Sequence, residues 1–210
     1  MLKKQQLYHQ LKNDIQQLHW QPGIVLTQQQ LSAHYGVSRI VVRDVQQQLF
    51  NEGWLTTHGK AGMQVPPFNA NEADELAMLR LQLEPLALKL AAPTLSFAQL
   101  GQAEDVLLTL SSTPALSPYQ RGELNWQFHH LLYQSCNKPH LLGLLEKLHQ
   151  QVSRYLGYQD QTQSYAQTSA AEHQQLLTLL RRRDIEGACA VLTEHSASAN
   201  KKLVSYLQNQ

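Results

Sequence analysis

The segment from Leu26 to Phe50 constrains the fold most strongly, because two short helical patterns flank a tight turn within it. Thr27 precedes the first pattern and Gln30 follows three residues later, which is the spacing of a capping box at a helix N-terminus. Gly36 stands after the pattern and can adopt the left-handed conformation that ends a helix. The segment therefore predicts a helix over about residues 28–34 and a turn at Gly36.

The second helix of this segment, predicted over about residues 39–52, carries a polar stripe. Ser38 stands where it can cap the helix, and Arg39 and Arg43 are four residues apart, so they share one face that Gln47 continues. Arginine and glutamine side chains match guanine and adenine edges, and a helix N-terminus favours a phosphate. An ordinary amphipathic helix with solvated arginines is the alternative, but the preceding helix and turn favour a DNA-reading helix. The opposite, apolar face is predicted to be buried: Val42, Val45 and Leu49.

A short β-hairpin is predicted after this helix. The residues WLTTH favour a strand, GKAG a turn and MQV a second strand, with Lys60 and Gly62 at the tip of a wing that contacts neighbouring DNA. A further helix is predicted over about residues 3–18, ahead of Pro22-Gly23. Its buried face is predicted to consist of Leu7, Leu11, Ile15 and Leu18. Three helices and a hairpin make residues 1–66 a winged helix-turn-helix.

The rest of the chain is predicted to be helical. Pro66-Pro67 ends the wing strand, residues 67–74 form a linker with its hinge near Pro66–Ala70, and residues 75–210 form an all-α antiparallel bundle of about six helices. The fold class is therefore mainly α. The predicted helices span about 71–92, 96–111, 117–136, 139–158, 165–182 and 184–207.

Composition adds weaker constraints. The net charge is +1, and residues 1–66 hold six basic against three acidic side chains, which suits a unit that approaches a polyanion. The N-terminus lacks the apolar stretch of a signal peptide, and no run approaches the roughly 18 apolar residues of a membrane span. Cys136 and Cys189 have no metal-binding spacing and are predicted to be free thiols. These features predict a cytoplasmic protein.

Histidines in the second unit suggest a metal site. Asn125 and His129 are four residues apart, so they can bind one ion together, while His173 and His195 lie on two other predicted helices. Three imidazoles and an amide oxygen suit Zn²⁺, Ni²⁺ or another late first-row divalent ion. Ordinary buried or exposed helix histidines are the alternative, because spacing alone does not distinguish three others: His130, His140 and His149.

The first unit resembles the DNA-binding domain of the GntR family of bacterial transcription regulators. The matching residues are Pro22-Gly23, Leu26-Thr27, Leu31-Ser32, Gly36-Val37-Ser38-Arg39, Val42-Arg43, Leu49, Glu52-Gly53-Trp54-Leu55 and Lys60-Ala61-Gly62. The resemblance implies that Arg39 and Arg43 are the main operator-contacting residues. Ile40-Val41 replaces the usual Thr-Pro, and Gln46 stands where leucine is frequent, so we expect an operator sequence that differs from those of other members. The full set predicted to contact DNA is Thr27, Ser38, Arg39, Arg43, Gln47, Lys60 and Gly62.

The second unit resembles the ligand-binding domain of FadR C-terminal type, the FCD domain, which follows many GntR-type DNA-binding domains. The resemblance rests on Glu75–Ala92, Asn125–Leu142 and the segment from Glu172 to His195. In the metal-binding branch one aspartate and three histidines hold the ion, which implies Asn125, His129, His173 and His195 here. The asparagine predicts weaker metal binding and a stronger demand for an anionic ligand. The resemblance also places Arg80 near the effector pocket; a surface arginine is the alternative.

These resemblances imply a transcription regulator that is not an enzyme. We expect a homodimer, most often a repressor in this family, that binds a palindromic operator and responds to a small organic acid held by the metal and Arg80. An effector-free DNA-binding regulator with a vestigial metal pocket is one alternative. A metal-dependent hydrolase is another, although no HExxH-like arrangement is present and Glu172, adjacent to His173, is expected to point elsewhere.

Overall fold

The computed structural model of the protein describes residues 2–59, 62–113, 115–155 and 163–209. Within these ranges the chain forms nine α-helices, one 3-10 helix and three short strands. In chain order the elements are α1 (Leu2–Gln16), β1 (Val25–Leu26), α2 (Gln28–Tyr35), α3 (Arg39–Asn51), β2 (Thr56–His58), β3 (Gly62–Gln64), α4 (Ala70–Ala91), α5 (Phe97–Ser112), α6 (Pro118–Tyr133), the 3-10 turn (Gln134–Cys136), α7 (Pro139–Ser153), α8 (Gln163–Arg181) and α9 (Ile185–Gln208). The predicted mainly α fold is confirmed.

The N-terminal domain packs α1, α2 and α3 around one apolar core. Thr27 accepts a hydrogen bond from the backbone N–H of Gln30 at 3.1 Å, and Gly36 ends α2 with φ 64°, as predicted. Ser38 caps α3 through the N–H of Val41. The first helix stops at Gln16 rather than near residue 18, because Leu18 adopts φ 63° and leaves the buried face. The predicted core residues that are buried are Leu7, Leu11, Ile15, Val42, Val45 and Leu49.

The wing is part of a three-stranded antiparallel sheet in the order β1-β3-β2. The predicted hairpin is confirmed, but Trp54 and Leu55 precede its first strand and are buried in the core instead. Strand β1 was not predicted, because it has only two residues and the alternation of apolar and polar residues that marks a strand needs a longer segment. Gly62 has φ 140°, and a Cβ there would approach the Leu26 carbonyl oxygen to 3.0 Å, so this crossing point requires glycine. Lys60 lies outside the described residues.

The C-terminal domain is a helical bundle. Helix α4 packs against α7 and α9, α5 packs against α6 and α8, and α8 also contacts α9. Asn69 caps α4, which therefore begins at Ala70. The helix predicted over 117–136 is divided into α6 and a 3-10 turn, which ends at Asn137 with φ 52°. Among the described residues, no helix combines the length and apolar character needed to cross a lipid bilayer.

The two domains touch through α1, which lies against α6. His9 Nδ1 and the Tyr119 hydroxyl are 2.9 Å apart, and Gln16 donates a hydrogen bond to the Ser153 carbonyl. Behind this contact, Lys12 is buried and its ammonium binds Glu52 at 2.8 Å, directly after α3. Helix α1 thus connects the end of α3 with the bundle.

Candidate metal centre and nucleic-acid interface

Three histidines from three helices meet inside the bundle. His129 of α6, His173 of α8 and His195 of α9 are all buried, and each offers one ring nitrogen within 4.8 Å of the others. The Nε2 atoms of His129 and His173 are 3.2 Å apart. Two imidazole nitrogens that bind one tetrahedral ion at about 2.0–2.1 Å are about 3.3 Å apart, so this spacing suits a shared divalent ion.

Neighbouring side chains fix the tautomers of two of these rings. The Tyr133 hydroxyl donates to Glu84, so its oxygen can accept the Nδ1 proton of His129 at 3.2 Å. His195 Nδ1 lies 2.7 Å from Glu172 Oε2, to which it donates. In both rings Nε2 then keeps its lone pair as the metal-binding atom. Glu172 was expected to point elsewhere, but its carboxylate contacts the cluster through His195, and this orienting role was not predicted from the sequence.

Burial keeps two of the rings neutral. Desolvation lowers the pKa of His129 and of His173 well below 6.5, and the neighbouring imidazoles lower the pKa values further. A histidine binds a metal ion only in its neutral form. The donor set therefore fits a late first-row divalent ion, and imidazole nitrogens bring no negative charge of their own to such an ion.

Asn125, the fourth residue of the predicted ligand set, lies one turn before His129 on α6 and is half-buried. This position shares the helix face of His129, since residues four apart are neighbours on a helix. Its role as a metal ligand stays a prediction.

Arg80 belongs to a buried polar network beside the three histidines. Its Nε donates to Glu84 Oε1 at 2.6 Å, and the other oxygen of Glu84 accepts from Tyr133 at 3.4 Å and from Ser196 at 3.1 Å. Tyr133 in turn contacts His129. A single network therefore connects Arg80 to the cluster, and Arg80 is largely buried instead of lying on the open surface.

The other three histidines of the bundle differ in their surroundings. His140 is exposed and His130 is half-buried. His149 is buried and stacks on Trp126, with ring centroids 4.6 Å apart and an interplanar angle of 14°. Spacing had made these residues equivalent to the predicted ligands, but none of the three joins the cluster of His129, His173 and His195.

Helix α3 presents its polar stripe to solvent. Arg39, Arg43 and Gln47 are all exposed on this helix, and Ile40, between the arginines, is 66% exposed. Arg43 lies 3.8 Å from Asp44, which is a loose ion pair at the surface. The stripe is thus open to a large ligand. Thr27 and Ser38 are exposed at the N-termini of α2 and α3, and Gly62 is half-buried in the wing.

Gln46 is buried, so its side chain does not reach the surface of α3, and its effect on the operator sequence stays a prediction. Its side chain is buried in the N-terminal domain, and its Nε2 donates to the Leu26 carbonyl at 2.7 Å. The amide thus satisfies the backbone of β1 from inside the core. Of the other departure, Ile40-Val41, Ile40 is exposed beside the arginines and Val41 is half-buried.

Sequence reasoning missed most of the residues around the metal cluster. Helical spacing could have found the pairs Arg80–Glu84 and His129–Tyr133, whose members are four residues apart. Glu172 and His195 are 23 residues apart, so only the packing of α8 on α9 brings them together.

Comparisons with known proteins agree with both domains. The family model described as bacterial regulatory proteins, gntR family, matches residues 3–65. The family model described as FCD domain matches residues 75–198, which is more than half of the chain.

Relatives of known sequence match along most of their length. HTH-type transcriptional regulator YdhC of Bacillus subtilis (strain 168), described as uncharacterized, is 27% identical over 192 residues, which cover 87% of this chain and 83% of the relative. The Nta operon transcriptional regulator of Aminobacter aminovorans is 26% identical over 179 residues, which cover 84% of this chain and 83% of the relative.

Solved structures show the same fold. Escherichia coli McbR/YncC matches with a TM-score of 0.80 at 23% identity, over 99% of both chains. A putative transcriptional regulator GntR from Rhodococcus sp. RHA1 matches with a TM-score of 0.78 at 17% identity, over 98% of this chain and 99% of that one. With a GntR-type DNA-binding domain followed by an FCD domain, this chain belongs to the GntR family of bacterial transcriptional regulators.

Proposed function

We propose that this regulator is a cytoplasmic repressor whose operator binding responds to a small carboxylate held beside a divalent metal ion in the bundle. The observation that carries the proposal is the cluster of His129, His173 and His195, with two rings oriented by hydrogen bonds and Arg80 in the adjoining network. A metal would supply positive charge there, and imidazole donors add no negative charge, so an anionic ligand on the metal would be favoured.

The metal site would consist of these three histidines and Asn125, with Zn²⁺ or Ni²⁺ as the favoured ion. The amide oxygen of Asn125 is neutral, so it adds a donor but no charge. Arg80 would attract the carboxylate through its permanent positive charge, since its guanidinium lies in the polar network that adjoins the cluster.

The DNA-binding surface would centre on α3. Arg39 and Arg43 would contact base edges in the major groove, because both are exposed one turn apart near the N-terminus of the helix. The other residues of the proposed surface are Thr27, Ser38, Gln47, Lys60 and Gly62. Thr27 and Ser38 stand at helix N-termini, where phosphates are favoured.

A homodimer would place two such surfaces on a palindromic operator. Helix α4 offers an apolar stripe for the contact, since Leu79, Leu86 and Leu90 are exposed at spacings of seven and four residues. Exposed apolar side chains that share one helix face are typical of protein–protein contacts.

A metal-dependent hydrolase is less well supported. The carboxylate nearest to the cluster in sequence, Glu172, accepts a hydrogen bond from His195. A carboxylate in that position orients a metal ligand. The relatives named above are described as transcriptional regulators, not as hydrolases.

Metal analysis and DNA binding test the proposal together. Purified full-length protein is expected to bind about one Zn²⁺ or Ni²⁺ per chain and to retard DNA from upstream of its own gene in a mobility-shift assay. Addition of the right small carboxylate is expected to weaken that shift, and His129→Ala is expected to remove the response. Protein that binds no metal, or a His129→Ala variant with an intact response, would show that the metal-centred part is wrong. A DNA shift that no acid changes would favour the effector-free regulator.

A further inference from the structure

His149 of α7 is a buried histidine that the metal cluster does not use. It is 7% exposed, and its Nε2 has no hydrogen-bond partner and no contact with solvent. An unpaired polar atom in a protein interior destabilises the fold, because it has lost its hydrogen bonds to water. Such an atom therefore calls for a physical explanation, and a ligand that pairs with it is one.

His149 packs against α6, the helix that carries His129. Its ring stacks on Trp126, which lies three residues before His129 and shares that face of α6. Burial lowers the pKa of His149 to about 3, with the positive charge of Arg80 as the next cause. His149 in turn contributes to lowering the pKa of His129. The positive charges of Arg80 and Lys12 therefore act on His149, and His149 acts on His129.

We propose that His149 is an effector-binding residue whose Nε2 pairs with a second oxygen group of the ligand, beyond the carboxylate held by the metal and Arg80. The inference rests on the proposed function and narrows the ligand to a small acid with an additional hydroxyl or carboxylate. A neutral imidazole can donate to either group through Nε2–H, and the stack on Trp126 holds the plane of the ring. An acid that has only its carboxylate leaves the buried nitrogen unpaired.

The test compares four acids on zinc-loaded, full-length protein by calorimetry. Acetate has only a carboxylate, lactate adds a hydroxyl, succinate adds a second carboxylate, and malate adds both. His149→Phe keeps a flat ring on Trp126 but removes both nitrogens. His130→Phe is the matched control, because His130 also contacts Trp126, with ring centroids 5.5 Å apart, and is only half-buried.

The wild-type protein is expected to bind at least one of the three larger acids about tenfold more tightly than acetate. His149→Phe is expected to reduce that acid to the acetate level, with unchanged zinc content, while His130→Phe behaves as the wild type. If His149→Phe binds every acid as the wild type does, the inference is overturned and the proposed function stands. If no acid binds the wild type, the carboxylate effector is wrong, and the inference fails with it.

A stability measurement separates ligand binding from a structural role. Without acid, zinc-loaded His149→Phe is expected to melt at or above the wild-type temperature, because the variant lacks the unpaired nitrogen. If phenylalanine does not fit at this position, acid binding and the melting temperature are measured again with His149→Leu, which has a smaller side chain. Variants that both melt several degrees lower, with recovery in His149→Gln, would assign His149 a structural hydrogen bond and overturn the inference.

Discussion

The proposed DNA-binding surface on α3 and the histidine cluster in the bundle use charge in opposite ways. Arg39 and Arg43 are exposed and permanently charged, and the ion pair of Arg43 with Asp44 is loose at 3.8 Å. His129 and His173 are buried and held neutral by desolvation. A surface of this kind adapts to a long polyanion at little cost to folding. The pocket instead keeps its groups in one geometry and lowers the stability of the fold when they become charged.

Acid should therefore weaken the fold through the bundle, and this is the largest effect that we expect. At pH above about 6.5 the buried histidines are neutral in both the folded and the unfolded chain, so they do not change the stability. Below that pH the unfolded chain binds protons that the folded chain excludes, so the free energy of unfolding falls. Each histidine lowers the free energy of unfolding by about 1.4 kcal/mol per pH unit, which is about tenfold in the unfolding equilibrium constant. Three buried rings take part: His129, His149 and His173.

Urea unfolding of the metal-free protein in EDTA, at pH 7, 6 and 5, measures this slope. His149→Phe is expected to reduce it by about one proton, whereas His140→Phe, at an exposed position, should leave it unchanged. A free energy of unfolding that stays constant from pH 7 to pH 5 would show that the buried histidines are not held neutral by the fold.

Loss of a metal ligand should affect only the pocket. His173→Ala is expected to reduce bound Zn²⁺ to well below one per chain, while operator binding without effector remains. Replacement of a group that only orients a ligand usually costs about 10–100-fold in metal affinity, so Glu172→Gln is expected to show this smaller loss. Equilibrium dialysis against a zinc indicator measures both. Equal zinc affinity in the wild type and His173→Ala would contradict the site.

Loss of a base-reading arginine should affect only the DNA surface. Arg39→Ala and Arg43→Ala are each expected to weaken operator binding by about 1–3 kcal/mol, roughly 5- to 150-fold. Arg182→Ala is the matched control, since Arg182 is exposed but lies in the bundle. Fluorescence anisotropy at fixed salt measures the affinities, and zinc content should stay constant throughout. If neither substitution changes the operator affinity, α3 does not recognise the operator through these arginines.

The smallest effect concerns Gln46. Gln46→Leu removes the hydrogen bond to the Leu26 carbonyl and is expected to destabilise the protein by about 1 kcal/mol. Operator preference should not change, because the side chain is buried. Ile40→Thr provides the contrast, since it alters an exposed position between the two arginines. Selection of binding sites from random DNA by both variants decides the question, and an altered preference in Gln46→Leu would contradict the buried role.

Most of the N-terminal domain could be predicted because its signals are local. Thr27, Gly36 and Ser38 act within a few residues of their own positions, and each has the predicted cap or turn geometry. The burial of Gln46 was not predicted, because its side chain donates to a backbone carbonyl 20 residues away. That partner becomes known only when β1 is in place.

The candidate site was predictable only in part for the same reason. The family pattern indicated His129, His173 and His195, which the structure brings together. Glu172 and Ser196 lie next to two of these histidines in sequence, but their partners come from other helices. The unpaired nitrogen of His149 could not be predicted from the sequence, because only the packed structure shows that no hydrogen-bond partner lies next to it.

Helix α6 takes part in both regions, because it contacts α1 of the N-terminal domain and carries His129 of the cluster. Tyr119, near its start, contacts His9 of α1, and His129 lies ten residues further on, about 15 Å along the helix axis. A helix of this length is stiff, so it can transmit a motion from the histidine cluster to the N-terminal domain. A rotation of α6 that moves His129 also moves Tyr119, and α1 follows together with Glu52 at the end of α3. Motion at the pocket can therefore reach the DNA-facing helix through packed side chains as well as through the segment near residues 66–70.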